Sequence, residues 1–453
     1  MLTYYLSFAI VCMFLTIINW RLGLWLMLVV GLLADPLRKL TPGNPVYISI
    51  VFVGILAILY LACKKTYARG QSIFAIFPRI KSSMQLFAIF FIINAIRPIL
   101  ESIHYLPLVL YSSAQYIGLF AAAKLGFDLV EDEKSIIKFA DIFVITLLPF
   151  LFSVLLHFWG FDSIYPVLGV MEFEGQTYYQ HHAGQPLAML CGVFRNPEGM
   201  GWFAMVVSVS AFFLLVRKKK NILNILYYSG SFLLSSFCVL LSGRRKFFLG
   251  IFIYTFIFIV VTMRKNMKRA IMYLVLFFVA GGVFFYYIGR AEQVAVYLKS
   301  GQSGFEASEG RLQKGVLYSI VWAVERDGFF GRGLGSATQG ARHFNKGIIK
   351  TSGIEAGPGK VIAELGVPGA VAFIMVLLSY FAGVYKQVIK GWFKDMKEVT
   401  GVFLLALVLT QMAEFSVSHQ IYGDPLVAVL TGLMCGFLLA IPRIREAGRV
   451  GDR

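Results

Sequence analysis

The sequence predicts an all-α polytopic membrane protein with a single membrane domain that takes in residues 1 to 453. Hydrophobic residues make up 58% of the chain and charged residues only 15%, and the mean hydropathy is +0.74. A soluble protein of this length could not bury so much apolar surface. Apolar stretches long enough to cross a hydrocarbon core of roughly 30 Å recur from end to end. We therefore expect lipid to surround most of the chain.

The apolar stretches predict about 13 transmembrane helices, within a range of 12 to 14 because neighbouring spans can fuse. The first span has no basic segment before it and no cleavage site after it, so we expect it to be retained. The predicted spans are residues 2 to 19, 22 to 37, 46 to 63, 84 to 100, 105 to 125, 139 to 159, 199 to 216, 222 to 241, 247 to 262, 270 to 289, 366 to 385, 401 to 418 and 424 to 441.

Clusters of lysine and arginine predict the orientation, because short loops rich in these residues stay in the cytoplasm. All the clusters fall on one side of the 13-span arrangement, which places the C-terminus in the cytoplasm and the N-terminus outside. The net charge of +18 follows from this topology, and the absence of a continuous basic face argues against nucleic acid as a partner. The clusters are residues 64 to 81, 217 to 220, 264 to 269, 386 to 397 and 443 to 449.

Two long segments lie outside in this orientation, residues 160 to 198 and residues 290 to 364. The second is a large external loop between the tenth and eleventh spans. It has a helical pattern around residues 311 to 325 and glycine-rich turns around residues 331 to 340. Long ordered loops in compact proteins usually carry function, so we expect part of an active site here.

Metal and nucleotide sites are not expected. The five cysteines, at positions 12, 63, 191, 238 and 435, lie in or beside apolar segments without paired spacing. His181 and His182 point to opposite sides of an extended segment, which does not suit a shared metal ion. The glycines of the large loop lack the strand-to-helix context that ATP-binding and NAD-binding loops need. No cofactor is therefore predicted.

The segment Ser242-Gly243-Arg244-Arg245-Lys246 joins two spans at the outer face, where the positive-inside rule disfavours cations. A concentration of cations there implies an anionic ligand, and arginine binds phosphate oxygens through two parallel hydrogen bonds. A miscounted span, or arginines that contact lipid head groups, would also explain the pattern. Further cations on this side are Arg97, Arg195, Arg290 and Arg311.

Several acidic residues and histidines are candidates for acid–base chemistry. Glu355 and Glu364 flank Lys360, so one of them can pair with the lysine while the other is free to react. Glu414 lies within the twelfth span, where an ionisable group is costly and is either functional or paired with a polar neighbour. His343 lies in the large loop, although a lone histidine at an interface is more often hydrogen-bonded or solvated than a base.

Four motifs occur in a fixed order: Arg195-Asn196-Pro197 before a span, Ser242-Gly243-Arg244-Arg245 between two spans, Gly331-Arg332-Gly333-Leu334-Gly335 in the large loop, and Glu364-Leu365-Gly366 at its end. In this order they resemble the O-antigen polymerase and O-antigen ligase superfamily of bacterial membrane glycosyltransferases. The resemblance covers residues 190 to 385. Ligase-like members place a histidine–asparagine pair nine residues before the glutamate, where this chain has Glu355 and Ala356. This departure favours a polymerase or a divergent transferase over a strict ligase.

The resemblance implies a GT-C-like fold and a metal-independent transfer from a polyprenyl-pyrophosphate-linked oligosaccharide to a saccharide acceptor. The reaction would take place at the outer face of the bacterial cytoplasmic (inner) membrane, in surface polysaccharide or exopolysaccharide synthesis. The lipid bilayer and other polysaccharide-assembly proteins are the further partners it implies. The implied catalytic residues are Glu355 or His343 as the base with Arg195 and Arg311, and the implied pyrophosphate-binding residues are Arg244, Arg245, Arg97, Arg290 and Lys360.

Three alternatives stay open at this point. A transporter or flippase of a lipid-linked oligosaccharide would use the same arginines to hold the pyrophosphate. A flippase should place charges along a path through most spans, however, whereas the anomalous charges here gather on one face and in one loop. Ligase-type transfer to a lipid or protein acceptor, and a non-enzymatic role within a synthesis complex, are the other two.

Overall fold

Long apolar helices make up most of the protein in a computed structural model. The structure describes residues 1–43, 45–66, 72–169, 179–182, 185–217, 221–263, 312–338, 354–389 and 399–451, with isolated positions between 264 and 311. Three predicted site residues, Arg290, Arg311 and His343, lie outside the described residues, as does most of the predicted tenth span.

The helices and strands of the described residues follow the order of the chain. The helices are α1 (Leu2–Ile18), α2 (Trp20–Leu40), α3 (Phe52–Thr66), α4 (Ile73–Ile76), α5 (Pro78–Glu101), α6 (Leu106–Leu129), α7 (Glu133–Phe158), α8 (Pro197–Arg217), α9 (Ile222–Leu241), α10 (Arg245–Met263), α11 (Tyr318–Asp327), α12 (Gly357–Gly383), α13 (Val399–Val417) and α14 (Pro425–Gly451). The strands are β1 (Tyr179–His182) and β2 (Gln185–Ala188), which pair antiparallel.

Ten helices in the described part of the chain are long and apolar enough to cross a membrane: α2, α5 to α10, and α12 to α14. Helices α1 and α3 are also apolar but shorter. These helices confirm the prediction of a helical, polytopic membrane protein. Among the described residues, the β1–β2 hairpin, in the segment that was predicted to be external, departs from the all-α prediction.

Several span boundaries differ from the prediction: α5 begins at Pro78 instead of residue 84, and α7 begins at Glu133 instead of residue 139. The span predicted from residue 46 begins with a 3₁₀ turn, Val46–Ile50, and α3 starts only at Phe52. The span predicted from residue 366 belongs to α12, which starts at Gly357 and is interrupted at Gly366, where φ is +70°. Glycine tolerates this angle, and Pro368 lacks the amide that would continue the regular hydrogen bonding. The predicted end of the external loop is therefore the first part of a broken helix.

Helices α6 and α14 are in close contact because glycines line their interface. A Cβ atom on Gly436 would lie 2.0 Å from the carbonyl oxygen of Ala123, and one on Gly432 would lie 2.2 Å from that of Leu119. Small residues four positions apart let two membrane helices bring their backbones together, where van der Waals packing holds them. This pair forms one side of the bundle.

We expect Gly436→Ala to destabilise the protein by roughly 1–3 kcal/mol, since the added methyl group meets backbone that cannot move aside. Gly230→Ala on α9 is the matched control, because a Cβ there meets nothing within 4 Å. Thermal unfolding of the purified protein in detergent measures both. Equal melting temperatures for the two variants would contradict the close packing of α6 and α14.

Helix α11 and several helix ends build the site. Helices α8, α10 and α12 begin at one face of the bundle, and α9 and α13 end there. Helix α11 follows a π-helical turn, Leu312–Leu317, and packs against the first part of α12. It agrees with the helical pattern predicted around residues 311 to 325, and Gly331, Gly333 and Gly335 all have positive φ in the predicted glycine turns.

Candidate functional site

A cavity of about 660 Å³ opens where these helix ends meet α11. Two carboxylates, Glu198 and Glu355, lie in its wall. The wall is rich in positive charge, because four cationic side chains also line it, and the structure thus brings together three predicted site residues that are far apart in sequence, Arg244, Arg245 and Glu355. The four cations are Arg244, Arg245, Lys246 and Arg326.

The turn between α9 and α10 presents three of these cations. Ser242 is fully buried and its hydroxyl accepts a hydrogen bond from the Arg244 amide at 3.1 Å. Gly243 has φ of +64°, which lets the chain reverse between the two helices. Helix α10 then starts at Arg245, so the cations stand at a helix N-terminus. The C-terminal ends of α9 and α13 border the same cavity, so the helix dipoles partly cancel and the side chains supply most of the positive potential.

The Glu198 carboxylate holds the cations in position. It lies 3.4 Å from Nη1 of Arg244 and 3.2 Å from Nζ of Lys246, and its side chain is only 8% exposed. Lys246 also donates to the Ser418 hydroxyl at 2.9 Å. The amide of Gln420, turned to satisfy its hydrogen bonds, donates to both Glu198 oxygens. Sequence reasoning placed Glu198 only in a polar turn and missed this role, although a glutamate at the start of an apolar span was a usable signal.

Glu355 is exposed and faces the cavity. Within the described part of the chain, no cation lies within ion-pair distance of its carboxylate. Glu364 is the glutamate that approaches Lys360, with 4.0 Å between Oε2 and Nζ. The sequence left open which of the two glutamates pairs with the lysine, and the geometry assigns Glu364 to that pair. Glu355 therefore has the accessible carboxylate.

His419 fixes the backbone of the Glu355 segment. Its amide donates to the carbonyl of Glu355 at 2.8 Å, and its Nε2 lies 2.8 Å from the carbonyl of Ile354. The pKa of His419 is lowered to about 3, mainly by burial and in part by the charges of Lys360 and Lys246. The imidazole is therefore neutral at physiological pH, which suits the hydrogen-bonded role that the sequence favoured for an interfacial histidine.

The lowered pKa of His419 makes stability depend on pH. In the unfolded chain His419 has a pKa of about 6.5, so it is protonated as the pH falls below that value. In the folded chain it stays neutral until about pH 3. The contribution of the neutral imidazole to the free energy of unfolding is therefore complete above about pH 6.5. It is lost between about pH 6.5 and pH 3, and the loss is roughly 2 kcal/mol at pH 5. We expect the drop in melting temperature from pH 7 to pH 5 to be smaller in His419→Gln than in wild type. The same drop in both proteins would contradict a neutral, buried imidazole.

Arg195 makes a buried ion pair outside the cavity wall. Its Nη2 lies 2.7 Å from Oδ2 of Asp424, and its amide donates to Asp35 at 3.0 Å. Burial lowers the pKa of Arg195, but Asp424 and Asp35 raise it by more, so the net shift is upward and the guanidinium stays charged. The sequence predicted that Arg195 contacts pyrophosphate. In the structure it connects the start of α8 to α2 and to the start of α14.

Two further predicted ligands also lie apart from the cavity wall. Arg97 donates to the carbonyl of Gly331 at 2.8 Å and approaches Glu101 at 3.8 Å on the half-exposed end of α5. Lys360 is buried and donates to Oε1 of Gln115 at 2.8 Å. The structure thus gives Lys360 partners inside the bundle, where the sequence predicted a pyrophosphate ligand.

A second, apolar cavity of about 180 Å³ lies between α5, α6, α12, α13 and α14. Gln115 and Lys360 line it near the start of α12, and Lys124 and Phe74 line it towards the opposite face. Its other walls are almost wholly apolar. Lys360 belongs to a buried polar group in which Tyr116 donates to Glu364 at 2.9 Å.

No family model and no curated protein sequence matches the chain. Among the residues that the structure describes, no group of three histidine, cysteine, aspartate or glutamate side chains could hold a metal ion. The cavity offers the four cations and the exposed carboxylate of Glu355 to a ligand.

We expect Arg195→Met to destabilise the protein by about 3 kcal/mol, because Asp424 and Asp35 would lose their buried counter-charge. Arg97→Met is the matched control, since that side chain is half-exposed and its ion pair with Glu101 contributes little. Thermal unfolding in detergent tests both. An Arg195→Met protein that melts with wild type yet has lost activity would instead support the predicted contact with pyrophosphate.

Proposed function

We propose that the protein is a metal-independent membrane glycosyltransferase. It transfers or polymerises oligosaccharide units from a polyprenyl-pyrophosphate donor onto a saccharide acceptor, in surface polysaccharide or exopolysaccharide synthesis. The observation that carries the proposal is the union, in one cavity, of four cations with the exposed carboxylate of Glu355. The order of motifs that resembles the O-antigen polymerase and ligase superfamily supports the same assignment.

The cations would bind the pyrophosphate and stabilise its departure. Guanidinium groups match phosphate oxygens with parallel hydrogen bonds, and Arg244 and Arg245 stand side by side at the start of α10. Negative charge grows on the pyrophosphate as its bond to the sugar breaks, and fixed cations stabilise this charge without reorganising. Lys246, from the same turn, and Arg326, from α11, add further positive charge to the cavity.

Glu355 would act as the general base. Its carboxylate accepts the proton of the acceptor hydroxyl, the hydroxyl oxygen forms a bond to the anomeric carbon, and the pyrophosphate leaves with the electron pair of the broken bond. The bond energy of the donor drives the step, so no nucleotide is consumed. His343, outside the described residues, is the alternative base.

The proposed membrane arrangement is GT-C-like with 13 spans, the N-terminus outside and the C-terminus in the cytoplasm of a bacterial cell. The basic cluster at residues 217 to 220 follows the end of α8 that is remote from the cavity, and the cluster at residues 264 to 269 follows the remote end of α10. Since such clusters stay in the cytoplasm, the cavity opens on the outer face of the cytoplasmic membrane. A donor assembled in the cytoplasm would have to be flipped before it reached this site.

Transport of the lipid-linked oligosaccharide is the second candidate. The buried ionisable residues Lys360, Glu364 and Glu414 lie within the helices of the bundle, and such residues often mark a transport path. They have partners, however: Lys360 approaches Glu364, and Tyr422 donates to Glu414 at 3.2 Å. The four cations of the proposed pyrophosphate site and Glu355, by contrast, gather at one cavity.

The decisive experiment supplies the purified protein in proteoliposomes with a lipid-linked repeat unit and follows product length by mass spectrometry. We expect chain growth, and we expect Glu355→Gln to lower kcat by on the order of 10²–10⁴-fold, the range for loss of a general base. Glu325→Gln is the matched control, because Glu325 is exposed on α11 and does not line the cavity.

Each other outcome has a definite meaning. Substrate that crosses the bilayer without being lengthened would replace the transferase with a transporter. Chain growth that survives Glu355→Gln but not His343→Ala would move the base to His343. Transfer of the whole chain to a lipid or protein acceptor would make the enzyme a ligase.

A further inference from the structure

Helix α11 turns a row of three large side chains towards the cavity. Tyr318, Trp322 and Arg326 follow one another at intervals of four residues, which places them on one side of a helix, and all three line the cavity. Tyr318 is 65% exposed. Trp322 is partly buried and packs against the hydrophobic cluster around α12, but it also borders the cavity. The exposed ring of Tyr318 contributes little to the protein core, which suggests that this wall of the cavity contacts a ligand.

Helix α11, which carries the aromatic row, is held against its neighbours. The guanidinium of Arg326 packs over the ring of Trp322, 4.7 Å from its centre. Ser319 and Ala323, on the adjacent side of the helix, are buried, and a Cβ on Gly359 of α12 would lie 2.9 Å from Cβ of Ser319. At the end of the helix Asp327 lies 2.8 Å from Nε of Arg332. The backbone that carries the two rings is therefore fixed against α12 before a ligand binds.

The cavity has two chemically different walls. Arg244, Arg245 and Lys246 come from the turn between α9 and α10, whereas Tyr318 and Trp322 come from α11. A ligand that spans both walls must have an anionic part and a part with a flat, weakly polar face. Sugar rings have such a face, because their C–H bonds carry partial positive charge and aromatic faces carry negative charge.

We propose that Tyr318 and Trp322 form a saccharide subsite on which the sugar next to the pyrophosphate stacks. The basic wall holds the pyrophosphate while the rings of α11 hold the sugar, so that the bond to be broken lies between the two walls. This inference rests on the proposed transferase function. It adds the recognition of the saccharide, which the cations cannot provide.

The test compares binding of two ligands to the full-length protein in nanodiscs: a polyprenyl pyrophosphate, and the same lipid bearing one hexose, N-acetylhexosamine or deoxyhexose. We expect at least one sugar to tighten wild-type binding by on the order of fivefold, the value of one good aromatic contact. Trp322→Ala and Tyr318→Ala should each reduce this gain. Tyr318→Ala should bind the bare lipid as tightly as wild type does.

Two variants act as controls. Trp322→Phe keeps an aromatic face and should retain most of the gain. Val321→Ala is the matched control on α11, because Val321 is 52% exposed and does not line the cavity. It should bind both lipids as wild type does. A gain that survives both alanine variants would overturn the subsite, as would an equal gain for a nucleoside diphosphate over pyrophosphate.

The outcomes separate the subsite from the transferase function. Wild type that binds bare and glycosylated lipids equally would overturn the subsite and leave the anion site standing. Wild type that binds only the glycosylated lipids, with loss in Trp322→Ala, would support the subsite and overturn the pyrophosphate site. Failure to bind any of these lipids would overturn both.

Discussion

The buried carboxylate of Glu198 is the interaction on which the site depends. It stands at the start of α8 and takes Arg244 and Lys246 from the start of α10 and Gln420 from the segment after α13. A buried charge without a partner costs several kcal/mol, so these three parts of the chain stay together. The same pairing keeps the cations from repelling each other apart. It thereby creates a wall of positive charge at the end of an apolar bundle.

Hydropathy predicted most of the membrane helices, because every span needs a long run of apolar side chains in contact with lipid. The span predicted at residues 222 to 241 agrees with α9, Ile222–Leu241. The start of α12 was missed because Lys360 and Glu364 make its first turns look like a loop. They are tolerated there because Gln115 and Tyr116 of α6 hydrogen-bond to them. Partners so distant in sequence cannot be identified from composition.

The site was predictable to the extent that its residues violate a rule. The cations of the turn at residues 244 to 246 break the positive-inside pattern of the predicted topology, and they line the cavity together with Glu355. No sequence rule distinguishes an arginine that binds a ligand from one that forms an ion pair. The partner of Arg195, Asp424, is 229 residues away. Trp322 and Tyr318 escaped notice because aromatic residues are common throughout a chain in which 15% of residues are aromatic.

The first turn of α12 lies between the charged cavity and the apolar cavity, and an amphipathic ligand would need both. Ala356 lines the charged cavity, and Lys360, one turn later, lines the apolar cavity. The break at Gly366 lets this turn take a different direction from the rest of the span. A soluble sugar phosphate would have no use for the apolar cavity, and an uncharged lipid would have none for the four cations. A pyrophosphate that joins a saccharide to a long isoprenoid chain would use both, which is why we favour a lipid-linked donor.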